Sequence, residues 1–169
     1  MQHLQRIILR LSRTAAYFSA LLLVLMVCHI LLEIVLRAFF DTSTFVLDEF
    51  IGYGVAAMTF LTLAYALEEG SLIRVNILLT HTCGRIRQGL ELICISSTLV
   101  LSSYLLYYFF RNWKRDWDRG AVSESIAEIP MWIPEGFVVI GLALFTLQLF
   151  AYGLRIACGA QPIQNGNKE

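Results

Sequence analysis

The residues that could carry chemistry are few, and they stand inside or beside apolar segments. His29, Glu33 and Arg37 follow one another at i, i+4 and i+8, so a helix stacks their side chains along one face. An ionisable group at membrane depth is costly alone, which makes this ladder a candidate proton relay. The spacing also offers a plainer use, because Glu33 and Arg37 lie about 6 Å apart along a helix and can form an i, i+4 ion pair near the interface. Contact with a partner subunit is a third use. Asp48 and Glu49, in LDEFIGYG, form the other cluster. Adjacent helical residues point about 100° apart, so two such acids cannot both face one small site. At a helix N-terminus each can instead stabilise the dipole and the free N–H groups.

Glu49 differs from its neighbour because it heads a stripe: Glu49, Gly52, Ala56, Thr59 and Leu63 recur at spacings of three and four. Small residues in such a stripe let a second helix approach closely, which is how helices associate in lipid. The expectation is a partner-subunit interface of Asp48, Glu49, Gly52, Ala56 and Thr59. Glu49 would then bond to a basic or hydrogen-bonding group on a neighbouring helix, either Arg37 or a residue of the partner.

No other site assembles. His29 is the only histidine within an apolar segment, so two histidines cannot grip a haem between them. Cys28, Cys83, Cys94 and Cys158 show no C-x-x-C spacing, which points to packing residues rather than a zinc site or disulfide framework. HExxH, G-x-S-x-G and P-loop patterns are absent. The reading is of a non-enzyme with no catalytic residue, metal or cofactor.

The elements that must position these groups are membrane helices. Hydrophobic residues make up 57% of the 169 and charged ones 15%, where a soluble domain carries about 25% charged residues. The net charge is zero, which offers nothing to nucleic acid. Crossing a bilayer takes about 20 apolar residues. Four stretches qualify, at roughly 14–36, 50–67, 90–110 and 134–154. They predict a single all-α membrane domain over 1–169. The first run follows Arg6, Arg10 and Arg13, but its length and its lack of an A-x-A-like end read as an uncleaved helix rather than a signal peptide. With both termini in the cytoplasm, the inner segments carry Arg6, Arg10, Arg13, Arg74, Arg85, Arg87, Arg155 and Lys168. The outer ones carry Arg37, Arg111, Lys114, Arg115 and Arg119. That majority favours N-in/C-in, although the second outer loop is itself basic.

Trp113, Trp117 and Trp132 fall in that loop and mark a membrane surface. A helical RNWKRDWDRG places Trp113 and Trp117 on one face, along the headgroups. In the 68–89 connection, LIRVNILL is too short to span and is expected in the inner interface, with Arg74 as an anchor. Pro134 and Glu135 suit the first turn of the last helix. The tail at 160–169 is polar.

Taken in order, these residues resemble the small membrane subunit of tripartite ATP-independent periplasmic (TRAP) transporters, the DctQ-like permeases. The resemblance rests on the acidic pair Asp48 and Glu49, on FLTLAYALEEGSLIRVNIL, and on SIAEIPMWIPEG, a serine followed by an Ile-Pro-x-Trp entry to the last helix. Thr62 stands where that family's pattern has a glycine, Leu72 where a histidine is frequent and Asn76 where an aspartate is frequent. The resemblance implies a multi-pass protein of a bacterial or archaeal inner membrane. Its partners would be a large membrane subunit, which carries an organic acid with sodium ions, and a periplasmic substrate-binding protein that delivers the acid. This chain would then be a non-catalytic scaffold. Two alternatives remain at this point: the small subunit of a tricarboxylate-type tripartite transporter, and a self-contained proton-coupled exporter using Glu33.

Overall fold

The computed structural model describes residues 2–69, 85–125 and 128–157. LIRVNILL with Arg74, Cys83, Cys158 and the 160–169 tail lie outside them. Four helices account for most of what is described: α1 (Gln2–Phe40), α2 (Leu47–Glu68), α3 (Arg85–Arg119) and α4 (Trp132–Ala157). Each is long and apolar enough to cross a membrane, and among the described residues there is no strand, only an isolated antiparallel bridge, Val122 to Pro130. The protein is an all-α membrane protein.

The helices run past the apolar runs because the breakers lie farther out. No Gly or Pro interrupts α1, so its 39 residues continue through the basic N-terminal segment over about 58 Å of helix. RNWKRDWDR is helical with Trp113 and Trp117 together, ring centroids 5.8 Å apart. It is the last part of α3, however, not a separate segment beside the span. Nothing between Leu90 and Arg119 can stop the helix, and it ends where Gly120 takes a positive φ of 60°. In α4, Pro134 occupies the first turn, where its missing N–H is harmless.

The helices pack in the spatial order α1, α2, α4, α3. Helices α2 and α4 form the middle, and α3 lies at an edge, packed on α4 with one ring contact to α2, Phe60 to Phe109 at 6.1 Å. The row curves enough for Phe18 of α1 to stack on Phe137 of α4 at 5.8 Å. Lipid tails are as apolar as leucine, so shape fit and interhelical hydrogen bonds hold such a bundle. Shape fit is closest between α2 and α4, where a Cβ on Gly141 would stand 2.5 Å from the Phe60 carbonyl carbon. One turn or so further along α2, Ala64 and Leu67 meet Phe145 and Leu149 of α4. Two interhelical hydrogen bonds cross this region. The Gln148 amide donates to Glu68. Ser102 bonds to Thr146 at 2.5 Å; the Thr146 hydroxyl also donates to the Leu142 carbonyl, which makes Ser102 the donor.

Candidate functional site

The ladder on α1 is turned inward onto a loop. Glu33 is 2% exposed and its carboxylate collects four donors. Oε1 accepts from Arg37 Nε at 2.9 Å and from the Ser43 hydroxyl. Oε2 accepts from the Thr44 backbone N–H at 3.0 Å and the Thr44 hydroxyl at 2.6 Å. Residues 41–46 reverse the chain from α1 into α2, with Asp41 and Phe45 at positive φ, and Glu33 binds the middle of that reversal. Because the Thr44 hydroxyl hydrogen goes to Glu33, the oxygen accepts from His29 Nε2, 3.4 Å away. The His29 ring lies on Phe50 with centroids 5.0 Å apart. His29, Glu33 and Arg37 do share one face. That face ties a connection to a helix, and the carboxylate has a donor on each lone-pair side. Of these contacts the i, i+4 pair was readable from spacing, whereas Ser43 and Thr44 required the course of the loop.

Glu49 makes the corresponding attachment across the bundle. Oε1 accepts from Tyr53 Oη at 3.0 Å and from the Ser123 hydroxyl, and Oε2 accepts from the Ser125 hydroxyl. Ser123 and Ser125 belong to a turn closed by Ser123 N–H to the Ile129 carbonyl at 2.9 Å and Met131 N–H to the Ala121 carbonyl at 3.0 Å. The bond to Arg37 anticipated for Glu49 is not made: Arg37 bonds to Glu33 and Ser43, and Glu49 points toward the turn before α4. Asp48 is exposed at the same helix end, where no side-chain cap is present and its charge faces the free N–H groups.

The tryptophans gather at this end too. Trp113 Nε1 donates to the Trp132 carbonyl at 3.0 Å, and the Trp117 and Trp132 rings meet edge to face at 4.7 Å. Asn112 Nδ2 donates to Glu135 Oε1 at 3.0 Å. Trp132 thus joins the end of α3 to the start of α4, which sequence spacing alone did not indicate.

The small-residue stripe divides in a way spacing could not decide. Packing inside the chain uses Ala57, Leu61, Ala64 and Leu67, all buried. The neighbouring stripe faces away from it: Gly52 is exposed and a Cβ there would meet nothing within 4 Å. Ala56 is half-buried and Thr59 exposed, its hydroxyl donating to the Val55 carbonyl of its own helix at 2.7 Å. Beside Thr59 an open apolar groove of about 470 Å³ runs between α1 and α2, lined by Ala16, Ser19, Ala20, Thr62 and Leu63. Among the described residues, no three His, Cys, Asp or Glu side chains come together as metal ligands.

Fold and side-chain geometry define a class: a four-helix membrane protein whose buried carboxylate Glu33 and partly exposed carboxylate Glu49 hold its own connections. Residues 26–159 match the family model described as tripartite ATP-independent periplasmic transporters, DctQ component. The chain belongs to the DctQ family, the small component of TRAP transporters. No curated protein and no solved structure matches it. Two of the motifs that carry the resemblance meet in space, since Glu49 of the acidic pair accepts from Ser125, the first residue of SIAEIPMWIPEG.

Proposed function

We propose that this chain is the non-catalytic scaffold of a large TRAP membrane subunit, supporting sodium-coupled uptake of an organic acid delivered by a periplasmic binding protein. The observation that carries this reading is the outward stripe of α2. Gly52 and Thr59 leave open a small-residue face that no helix of this chain covers among the described residues. Such a surface suits a second protein helix better than lipid, because it allows close backbone approach. Asp48, Glu49, Gly52, Ala56 and Thr59 form the proposed interface, and the groove between α1 and α2 continues it. The expected topology is N-in/C-in in a bacterial or archaeal inner membrane, with the Trp113, Trp117 and Trp132 cluster at the outer surface.

The exporter alternative needs Glu33 to exchange a proton or bind a solute. Its four donors instead tie the carboxylate to Arg37 and to the α1–α2 loop. Reconstitution tests the proposal. Vesicles containing this chain, the large subunit and the binding protein should take up the acid under a sodium gradient. Vesicles lacking this chain should lose that uptake, and vesicles holding it alone should show no flux. Flux from the chain alone would overturn the scaffold reading.

A further inference from the structure

The basic end of α3 and the aromatic face beneath it lie apart from the proposed α2 interface. Arg111 and Lys114 are exposed and make no ion pair among the described residues, where the pairs at 4 Å or less are Arg37–Glu33 and Arg115–Asp116. Asp118, one turn beyond Lys114, is exposed and not bonded to it. Below Arg111 on the same side of the helix come Tyr107 and Tyr108, 63% and 53% exposed, then Tyr104 and Val100, 57% and 71% exposed. The tyrosine rings lean on one another, with Tyr104 and Tyr108 centroids 5.0 Å apart, but their hydroxyls make no hydrogen bond to the described residues.

Depth gives this order its meaning. Trp113 and Trp117 mark the headgroup level. Tyr107 and Tyr108 lie about 8–9 Å of helix below Trp113, and Tyr104 about 14 Å. An unbonded hydroxyl in hydrocarbon is costly, and Tyr107 and Tyr108 are shallow enough to lift theirs toward the interface, as amphipathic side chains do. A phospholipid presents, from the surface inward, a phosphate, then ester carbonyls, then acyl chains. The stripe presents cations, then hydroxyl donors, then apolar and ring surface in the same sequence. We propose that this face of α3 binds an anionic phospholipid of the leaflet at the tryptophan end, its phosphate on Arg111 and Lys114 and its ester carbonyls on Tyr107 and Tyr108. An acidic soluble protein would engage only the cations and leave the tyrosines unbonded, so lipid fits more of the surface. The site is on α3, away from the α2 stripe, and does not depend on the scaffold reading.

All three tryptophans of the chain stand at this end, so their fluorescence reports the lipid beside them. The full-length chain is placed in phosphatidylcholine vesicles doped with bromine-labelled phosphatidylglycerol or bromine-labelled phosphatidylcholine, since bromine quenches indole at short range. The anionic lipid should quench more strongly, with a relative affinity on the order of tenfold in its favour from two surface cations. The preference should fall several-fold in Arg111→Gln and in Lys114→Gln, approach unity in the double variant, and shrink in high salt in the wild-type chain. The salt arm requires no variant to fold. Equal quenching by the two lipids overturns the proposal. So does a preference that vanishes when the large membrane subunit is co-reconstituted, which would assign the stripe to a protein partner.

Discussion

Replacing Glu49 with alanine removes the acceptor that binds the turn at 121–131 to α2. Three hydroxyls, of Tyr53, Ser123 and Ser125, donate to this carboxylate. A hydrogen bond to a charged group contributes about 1.5–3 kcal/mol net. The side chain is partly exposed, so water compensates much of the loss. A local cost of about 2 kcal/mol for keeping the turn docked is the reasonable figure, equivalent to roughly thirtyfold in its opening equilibrium. The turn contains its own reporters, because the N–H groups of Ser123, Glu128 and Met131 are hydrogen-bonded only within it. Hydrogen exchange followed by mass spectrometry should show peptides covering 121–131 exchanging about 10- to 50-fold faster in Glu49→Ala. Peptides from the α2–α4 contact should be unchanged. Ser123→Ala combined with Ser125→Ala should reproduce most of the effect, and Glu49→Gln, which keeps one acceptor oxygen, should fall between. If exchange across the turn stays within twofold of wild type in Glu49→Ala, the carboxylate does not hold it and the reasoning fails.

Other consequences follow from the packing. Gly141→Ala places a methyl 2.5 Å from a backbone carbon of Phe60, which no rotamer change relieves, so a loss of about 1–3 kcal/mol should appear as a lower melting temperature in detergent. Ser102→Ala deletes one interhelical hydrogen bond, and because such bonds average about 0.6 kcal/mol in membranes, its melting temperature should drop far less than that of Gly141→Ala. Glu33→Gln should lower thermal stability more than Arg37→Gln, since the first alters the acceptor of four donors and the second removes one donor from a side chain that is 63% exposed. The reverse order would contradict the assignment of Glu33 as the anchor of the α1–α2 loop.

How much of this was legible depends on the range of the interaction. Apolar runs located all four helices because lipid imposes length and composition on any span. Their ends were less accessible, since charged residues such as those of RNWKRDWDR continue a helix until a breaker such as Gly120 intervenes. The Glu33–Arg37 pair is local and follows from helical spacing. The other donors to Glu33 come from a loop whose path is set by two residues at positive φ, Asp41 and Phe45. Ser123 and Ser125 are more than seventy residues from Glu49, beyond any periodicity. The small-residue stripes illustrate a different limit. Ala57, Leu61 and Ala64 have the same spacing as Gly52, Ala56 and Thr59, one residue or two out of phase. Composition identifies both as packing surfaces, but only the position of α4 decides which the chain covers itself.

The uncovered stripe of α2 is the proposed seat of the large membrane subunit, and Gly52→Leu puts that seat to the test. Gly52 is exposed and a Cβ there meets nothing within 4 Å among the described residues, so the variant should keep the wild-type melting temperature to within a degree or two, in keeping with about 0.5 kcal/mol for an exposed substitution. Affinity-tagged wild-type protein, co-expressed with the large subunit and purified in mild detergent, should retain it, and the Gly52→Leu protein should lose most of it. A Gly52→Leu chain that folds normally and retains the large subunit in full would contradict the account.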